Sequence, residues 1–117
     1  MQLDERMSAN VTIVTATGDI TLNSGGAVML KDKVNSLLHQ GQKNIVVDLS
    51  GVSYVDSAGL GDLVQTYVTT KNRGGSVKLM NVTKRLKNLL VVTKLLTVFD
   101  TYDDEAAAIA SFADAAA

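Results

Sequence analysis

This sequence predicts an α/β domain built on a mixed, mostly parallel sheet, and three observations carry the prediction. Short β-branched runs such as Ile45-Val46-Val47-Asp48-Leu49 alternate with longer stretches whose apolar residues recur at helical spacing. Glycines stand between these segments, at Gly18, Gly41 and Gly74-Gly75, where the chain is expected to turn or a helix to stop. The length of 117 residues suits one core that buries roughly two-thirds of the unfolded surface, so residues 1–117 are expected to form a single domain. The alternation implies about four to five strands with about four helices.

Each element has its own signal. Val11 to Ala16 is a β-branched, threonine-rich strand ended by Gly18, and Gln2 to Met7 is placed to pair with it antiparallel through the turn Ser8-Ala9-Asn10. Ala27, Leu30, Val34, Leu37 and Leu38 form one apolar stripe, which makes residues 24–40 the first helix, with Asn23 or Ser24 as its cap and Gly41 as its stop. After the strand Ile45 to Leu49 comes a loop, and then a second helix marked by Leu60, Leu63, Val64, Tyr67 and Val68 that ends near Gly74-Gly75. Ser76 to Met80 is the next strand. Val82 to Val92 carries Val82, Leu86, Leu89 and Leu90 at helical spacing, and Val98-Phe99 is expected to open a last short strand. The segment from Asp103 has acids in its first turn and Ile109 and Phe112 on one side, so it reads as a terminal helix whose alanine-rich end, Ala115 to Ala117, frays.

Composition removes several function classes. Hydrophobic residues make up 46% of the chain, charged residues 20%, and the net charge is −1, so nothing draws the molecule as a whole to nucleic acid. The basic cluster Lys84, Arg85 and Lys87 lies among leucines and valines without interleaved aromatics and reads as the solvated face of a helix. With no cysteine there are neither disulfides nor thiolate chemistry. Met1 to Asn10 lacks the apolar core of a signal peptide, and no run approaches the roughly 18 apolar residues of a membrane span, so no membrane insertion and a cytoplasmic location are expected.

The most informative stretch is Asp56-Ser57-Ala58-Gly59-Leu60-Gly61, which puts a serine hydroxyl where a strand gives way to an amphipathic helix. Ser57 falls at or beside the N-cap, where free backbone N–H groups and the helix dipole favour a phosphate. Read plainly, it is a serine that caps the helix. Gly59 and Gly61 leave the surface around it low enough for another protein to approach, and the loop lies at the carboxyl edge of the sheet, where open α/β sheets place their sites. Asp56 is either a turn residue or the group that orients the Ser57 hydroxyl, and Asp48 is placed to face the same loop. Two acids are too few to predict a metal site. A nucleophilic enzyme is not expected: Gly-x-Ser-x-Gly needs glycine on both flanks, position 55 is Val55, and the sole histidine, His39, suits the C-terminus of the first helix.

The Asp56 to Gly61 motif, together with Gly18-Asp19-Ile20, the strand end Asp48-Leu49-Ser50, the Gly74-Gly75 turn and Leu95 to Phe99, resembles the STAS family over nearly the whole chain, most closely its bacterial anti-sigma factor antagonists. The resemblance implies a phosphorylation switch. Ser57 is the acceptor for a partner that is both serine kinase and anti-sigma factor; unphosphorylated, the domain binds that partner and the sigma factor is released. The domain itself needs no cofactor, since ATP and magnesium belong to the kinase, and a separate serine phosphatase resets Ser57. The partner surface implied comprises Asp56, Ser57, Ala58, Gly59, Leu60 and Gly61 with Ile20, Thr21, Asn23 and Ser24 from the loop before the first helix. The chain departs from the family at Thr21, where an aspartate is common, at Ala58, where a second hydroxyl is common, and in Gly25-Gly26, which lengthen that loop. The alternative is a STAS regulatory subunit of a membrane transporter or a signalling assembly, with the same fold and a different partner.

Overall fold

Along the chain, strands and helices follow in the order β1 (Gln2–Ser8), β2 (Val11–Ile20), α1 (Gly26–His39), β3 (Asn44–Val55), α2 (Ser57–Asn72), β4 (Ser76–Met80), α3 (Lys84–Val92), β5 (Thr101–Tyr102) and α4 (Glu105–Ala116). The structure, a computed structural model, describes the backbone of residues 1–116 and the side chains of residues 1–112, so the fraying expected at Ala117 lies outside the described residues. The strands lie side by side in chain order; β1 is antiparallel to β2, and β2, β3, β4 and β5 are parallel. This is the mixed, mostly parallel α/β sheet that the alternation of elements predicts.

The hairpin closes where expected. Ala9 and Asn10 both take positive φ, 51° and 65°, as a two-residue turn compatible with strand twist demands. Side chains alternate across the sheet, so Val14, Ala16, Ile45, Val47, Leu49, Val77 and Leu79 enter the main core with Leu30, Val34 and Leu37 of α1, Leu63 of α2 and Leu86 and Leu90 of α3. Right-handed crossovers between strands laid in sequence put all three helices on that one face. The opposite face is narrower: Val11, Ile13, Val46 and Met80 are covered by Ala108 and Phe112 of α4. There Lys78 is only 7% exposed; its Nζ donates to Ser111 Oγ at 2.9 Å and sits 4.4 Å from the Phe112 ring centre, while Arg6 pairs with Glu105.

Five boundaries differ from the sequence expectation. β3 does not stop at Leu49. A register shift lets it run on to Val55 with Gly51 opposite Thr17 and Val55 opposite Ile20, so β2 continues past Gly18 as well. Ser50, Gly51 and Ser53 look like loop residues, yet pairing to a neighbour supplies the strand that propensity does not. α1 begins at Gly26, behind a left-handed Gly25 rather than behind Asn23 or Ser24. α3 begins at Lys84, where Thr83 Oγ1 accepts from Leu86 N. The last strand is Thr101–Tyr102, because Val98 and Phe99 are spent on packing: Phe99 is buried and meets Tyr67 edge to face at 5.5 Å.

Two glycines set how the first two helices meet the sheet. A Cβ on Gly26 would stand 2.0 Å from the Asp19 carbonyl oxygen, and one on Gly59 would stand 1.9 Å from that of Ile20. The starts of α1 and α2 thus press on consecutive peptide groups at the end of β2. Gly61, two residues further along, has open space around it. Gly59→Ala should therefore cost about 3 kcal/mol of stability through backbone overlap, whereas Gly61→Ala should add up to about 1 kcal/mol of helix propensity. Urea unfolding of the two variants beside the wild type checks both signs.

Candidate functional site

β3 delivers the chain to Asp56, and the turn from strand to helix takes that single residue. Asp56, extended at φ −90° and ψ 179°, is the N-cap of α2. Its Oδ1 accepts from Gly59 N at 2.7 Å and its Oδ2 from Leu22 N at 3.1 Å, while its own N–H donates to Ile20 O at 3.3 Å. One carboxylate thereby caps α2 and fastens it to the loop before α1. The expectation of Ser57 as the capping serine is corrected by this arrangement. Ser57 is the first residue inside the helix, is exposed, and its hydroxyl takes no part in the hydrogen bonds among the described residues. An aspartate outcompetes its neighbour for the cap because its extended backbone points a carboxylate at the N3 amide, while Ser57 has already turned helical.

The loop between β2 and α1 is held by its own hydroxyls. Thr21 Oγ1 donates to Ser24 Oγ at 2.8 Å and accepts from Ser24 N at 3.1 Å; Ser24 Oγ donates to Asp19 O at 3.0 Å and accepts from Gly26 N at 3.1 Å. Of the residues the sequence points to, Ser57, Gly61, Asn23 and Ser24 are exposed, Asp56 and Ala58 half-buried, and Gly59, Leu60, Ile20 and Thr21 buried. The last four shape the surface from beneath and do not offer side chains to a partner. Gly59 in particular is small to admit the Ile20 carbonyl, not to lower the outer surface. Sequence reading missed Leu22, which is 66% exposed and whose backbone is tied to Asp56. A leucine beside a buried Thr21 ordinarily joins the core; only its polar neighbours Asn23 and Ser24 hinted otherwise.

Electrostatics around the serine are mild. Across the α1/α2 contact Lys31 faces Asp62 at 3.9 Å. Asp48 does not face the Ser57 loop, as had been expected of it: its Oδ1 accepts from Ser50 N at 3.0 Å and from Asn81 Nδ2 at 3.4 Å, steadying the register shift in β3. Among the described residues no group of three or more His, Asp or Glu is placed to hold a metal ion. His39 ends α1, whose start packs beside the serine, and the 14-residue helix puts it about 20 Å away. The sole histidine is therefore remote from Ser57, which sits next to the Asp56 cap at the start of α2.

Comparison with known proteins agrees with this architecture. The chain is 36% identical over 100 residues to the anti-sigma-B factor antagonist of Bacillus subtilis (strain 168), a match that spans 80% of this chain and 91% of that protein. The crystal structure of a candidate anti-sigma factor antagonist from Thermotoga maritima superposes with a TM-score of 0.83 at 23% identity, covering 93% of this chain and 92% of the other. The Bacillus cell fate determinant SpoIIAA in its phosphorylated form superposes with a TM-score of 0.71 at 16% identity, covering 95% and 99%. No helix among the described residues is long and apolar enough to cross a membrane. The model of the STAS domain matches residues 2–108, from the first strand into the last helix, and with the five-stranded sheet and the strand-to-helix serine already in place, this chain belongs to the STAS domain family.

Proposed function

We propose that this domain is an anti-sigma factor antagonist that binds a serine-kinase anti-sigma factor when Ser57 is unmodified and is released from it when Ser57 carries a phosphate. The observation that carries the reading is the exposed Ser57 hydroxyl at the first turn of α2, left unbonded because Asp56 caps the helix. A kinase can reach such a group without unfolding anything. A phosphate placed there stays next to the positive end of α2, which stabilises it within the free protein.

The switch follows from charge. Phosphorylation adds about −1.5 to −2 charges to a surface that includes the exposed Leu22 and Gly61 and the half-buried Ala58, next to the Asp56 carboxylate. Desolvating that dianion beneath a partner costs several kcal/mol, and every ~1.4 kcal/mol is tenfold in affinity. Asp56 holds rather than reacts, since both of its oxygens are turned to backbone N–H groups. A serine phosphatase is needed to reset the site. The 36% identical relative is spanned over 91% of its length and is named as an antagonist, which supports this reading over that of a transporter subunit.

Incubation with the cognate kinase and ATP should add one phosphate by intact mass, and Ser57→Ala should abolish it; a phosphate mapped to Ser50, Ser53 or Thr21 in the wild type would refute the assignment. Capping predicts a separation of folding from binding. Ser57→Ala should change stability by less than about 0.5 kcal/mol and keep kinase binding, because no cap is lost. Asp56→Ala, which removes both carboxylate bonds, should cost about 1–2 kcal/mol. Ser57→Asp should fold normally yet bind the kinase more weakly, short of the full effect of a phosphate. Thermal melts and calorimetric titrations against the kinase with ADP distinguish these, and undiminished binding of Ser57→Asp would sink the electrostatic switch.

A further inference from the structure

β3 outlasts its neighbour. β4 pairs with it only as far as Asp48, whereas β3 runs on to Val55, so its second half has β2 on one side and the helix α3 on the other. A helix cannot continue a sheet edge, and a cleft of about 310 Å³ remains between them, within the range of small-molecule sites. Its walls are apolar, formed by Val52, Val55, Leu86 and Leu89. Val92 and Tyr54 stand at its rim, 78% and 49% exposed.

The lining also includes polar residues and one cation, Arg85. No acidic residue lines it, and Arg85 there has no ion-pair partner among the described residues. Lys84 and Lys87 add charge of the same sign, and the first turn of α3 carries no acid to offset the positive end of its dipole. A mostly apolar cleft with an arginine outside every ion pair among its lining residues matches a molecule with a hydrocarbon body and an anionic head. A nucleotide would leave the valine and leucine walls unused, and a plain hydrocarbon would leave Arg85 unused.

We propose that this cleft is a binding site for a small amphiphilic carboxylate, its alkyl chain against Val52, Leu86 and Leu89 and its carboxylate on the Arg85 guanidinium. The cleft's lining includes Val55 but neither Asp56 nor Ser57, and the site does not depend on the anti-sigma reading. Buried methylenes contribute roughly fourfold each in affinity, so affinity should climb with chain length until the cleft is filled.

The test is methyl-resolved NMR of the full chain, titrated with decanoate and with decanol below their aggregation limits. Decanoate should move the methyl signals of Val52, Leu86 and Leu89 and bind about tenfold more tightly than decanol, the margin of a charge-assisted hydrogen bond. Arg85→Ala, a change at an exposed position whose folding a thermal melt verifies, should bring decanoate down to the affinity of decanol. Shorter carboxylates should bind progressively more weakly. No shift at these methyls, equal affinity of the wild type for acid and alcohol, or an unaltered preference in Arg85→Ala would overturn the proposal. So would methyl shifts that grow with protein concentration alone, which would put a second copy of this chain in the cleft.

Discussion

The structure turns on the contact between the end of β2 and the starts of two helices. The carbonyls of Asp19 and Ile20 lie so close to Gly26 and Gly59 that no side chain fits between them. This approach seats α1 and α2 against the sheet and against each other, and it brings the loop from Ile20 to Gly25 alongside the strand-to-helix turn at Asp56. The Asp56 carboxylate then closes the junction by bonding to Gly59 of one segment and Leu22 of the other. Backbone packing and one bidentate acceptor therefore join the two segments of the candidate surface, and the Thr21 and Ser24 hydroxyls shape the loop between them.

That division of labour separates holding from signalling. The buried members Ile20, Thr21, Gly59 and Leu60 are committed to the core or to internal hydrogen bonds, so they fix shape. Ser57, Leu22 and Gly61 are left outside with little to do for the fold. A modification at Ser57 changes the charge of the surface without disturbing the cap, because the capping group is its neighbour. On the function proposed above, two adjacent residues with separate duties would let a phosphate at Ser57 act through desolvation with the cap left in place.

The same length mismatch that carries β3 to the site also leaves its mark beside it. Pairing with β2 continues beyond a register shift that Asp48 steadies through Ser50 and Asn81, while β4 has already ended. On the main core face α3 packs over β3, and a cleft lined in part by Val52, Leu86 and Leu89 remains where the two meet. On the other face α4 buries a smaller apolar set and accepts a lysine, which it satisfies with Ser111 and the faces of Phe112 and Tyr102.

Much of this was legible in the sequence, for local reasons. Alternation of Ile45 to Leu49 with helical periodicity from Leu60 to Val68 determined the α/β class with a largely parallel sheet, and the turn Ser8-Ala9-Asn10 its antiparallel start, since side-chain period and turn residues follow directly from backbone geometry. The motif from Asp56 to Gly61, with Gly18-Asp19-Ile20 and Asp48-Leu49-Ser50, marked the family. Tertiary structure alone decided that β3 continues through Ser50 and Gly51, that Phe99 packs on Tyr67 and leaves the last strand to Thr101–Tyr102, and that Leu22 faces solvent. It also decided that Asp56 rather than Ser57 is the cap and that Gly59 answers to a carbonyl from a distant strand. Those outcomes depend on partners far away in the chain, and neither propensity nor periodicity within a segment contains the identity of the group it will meet.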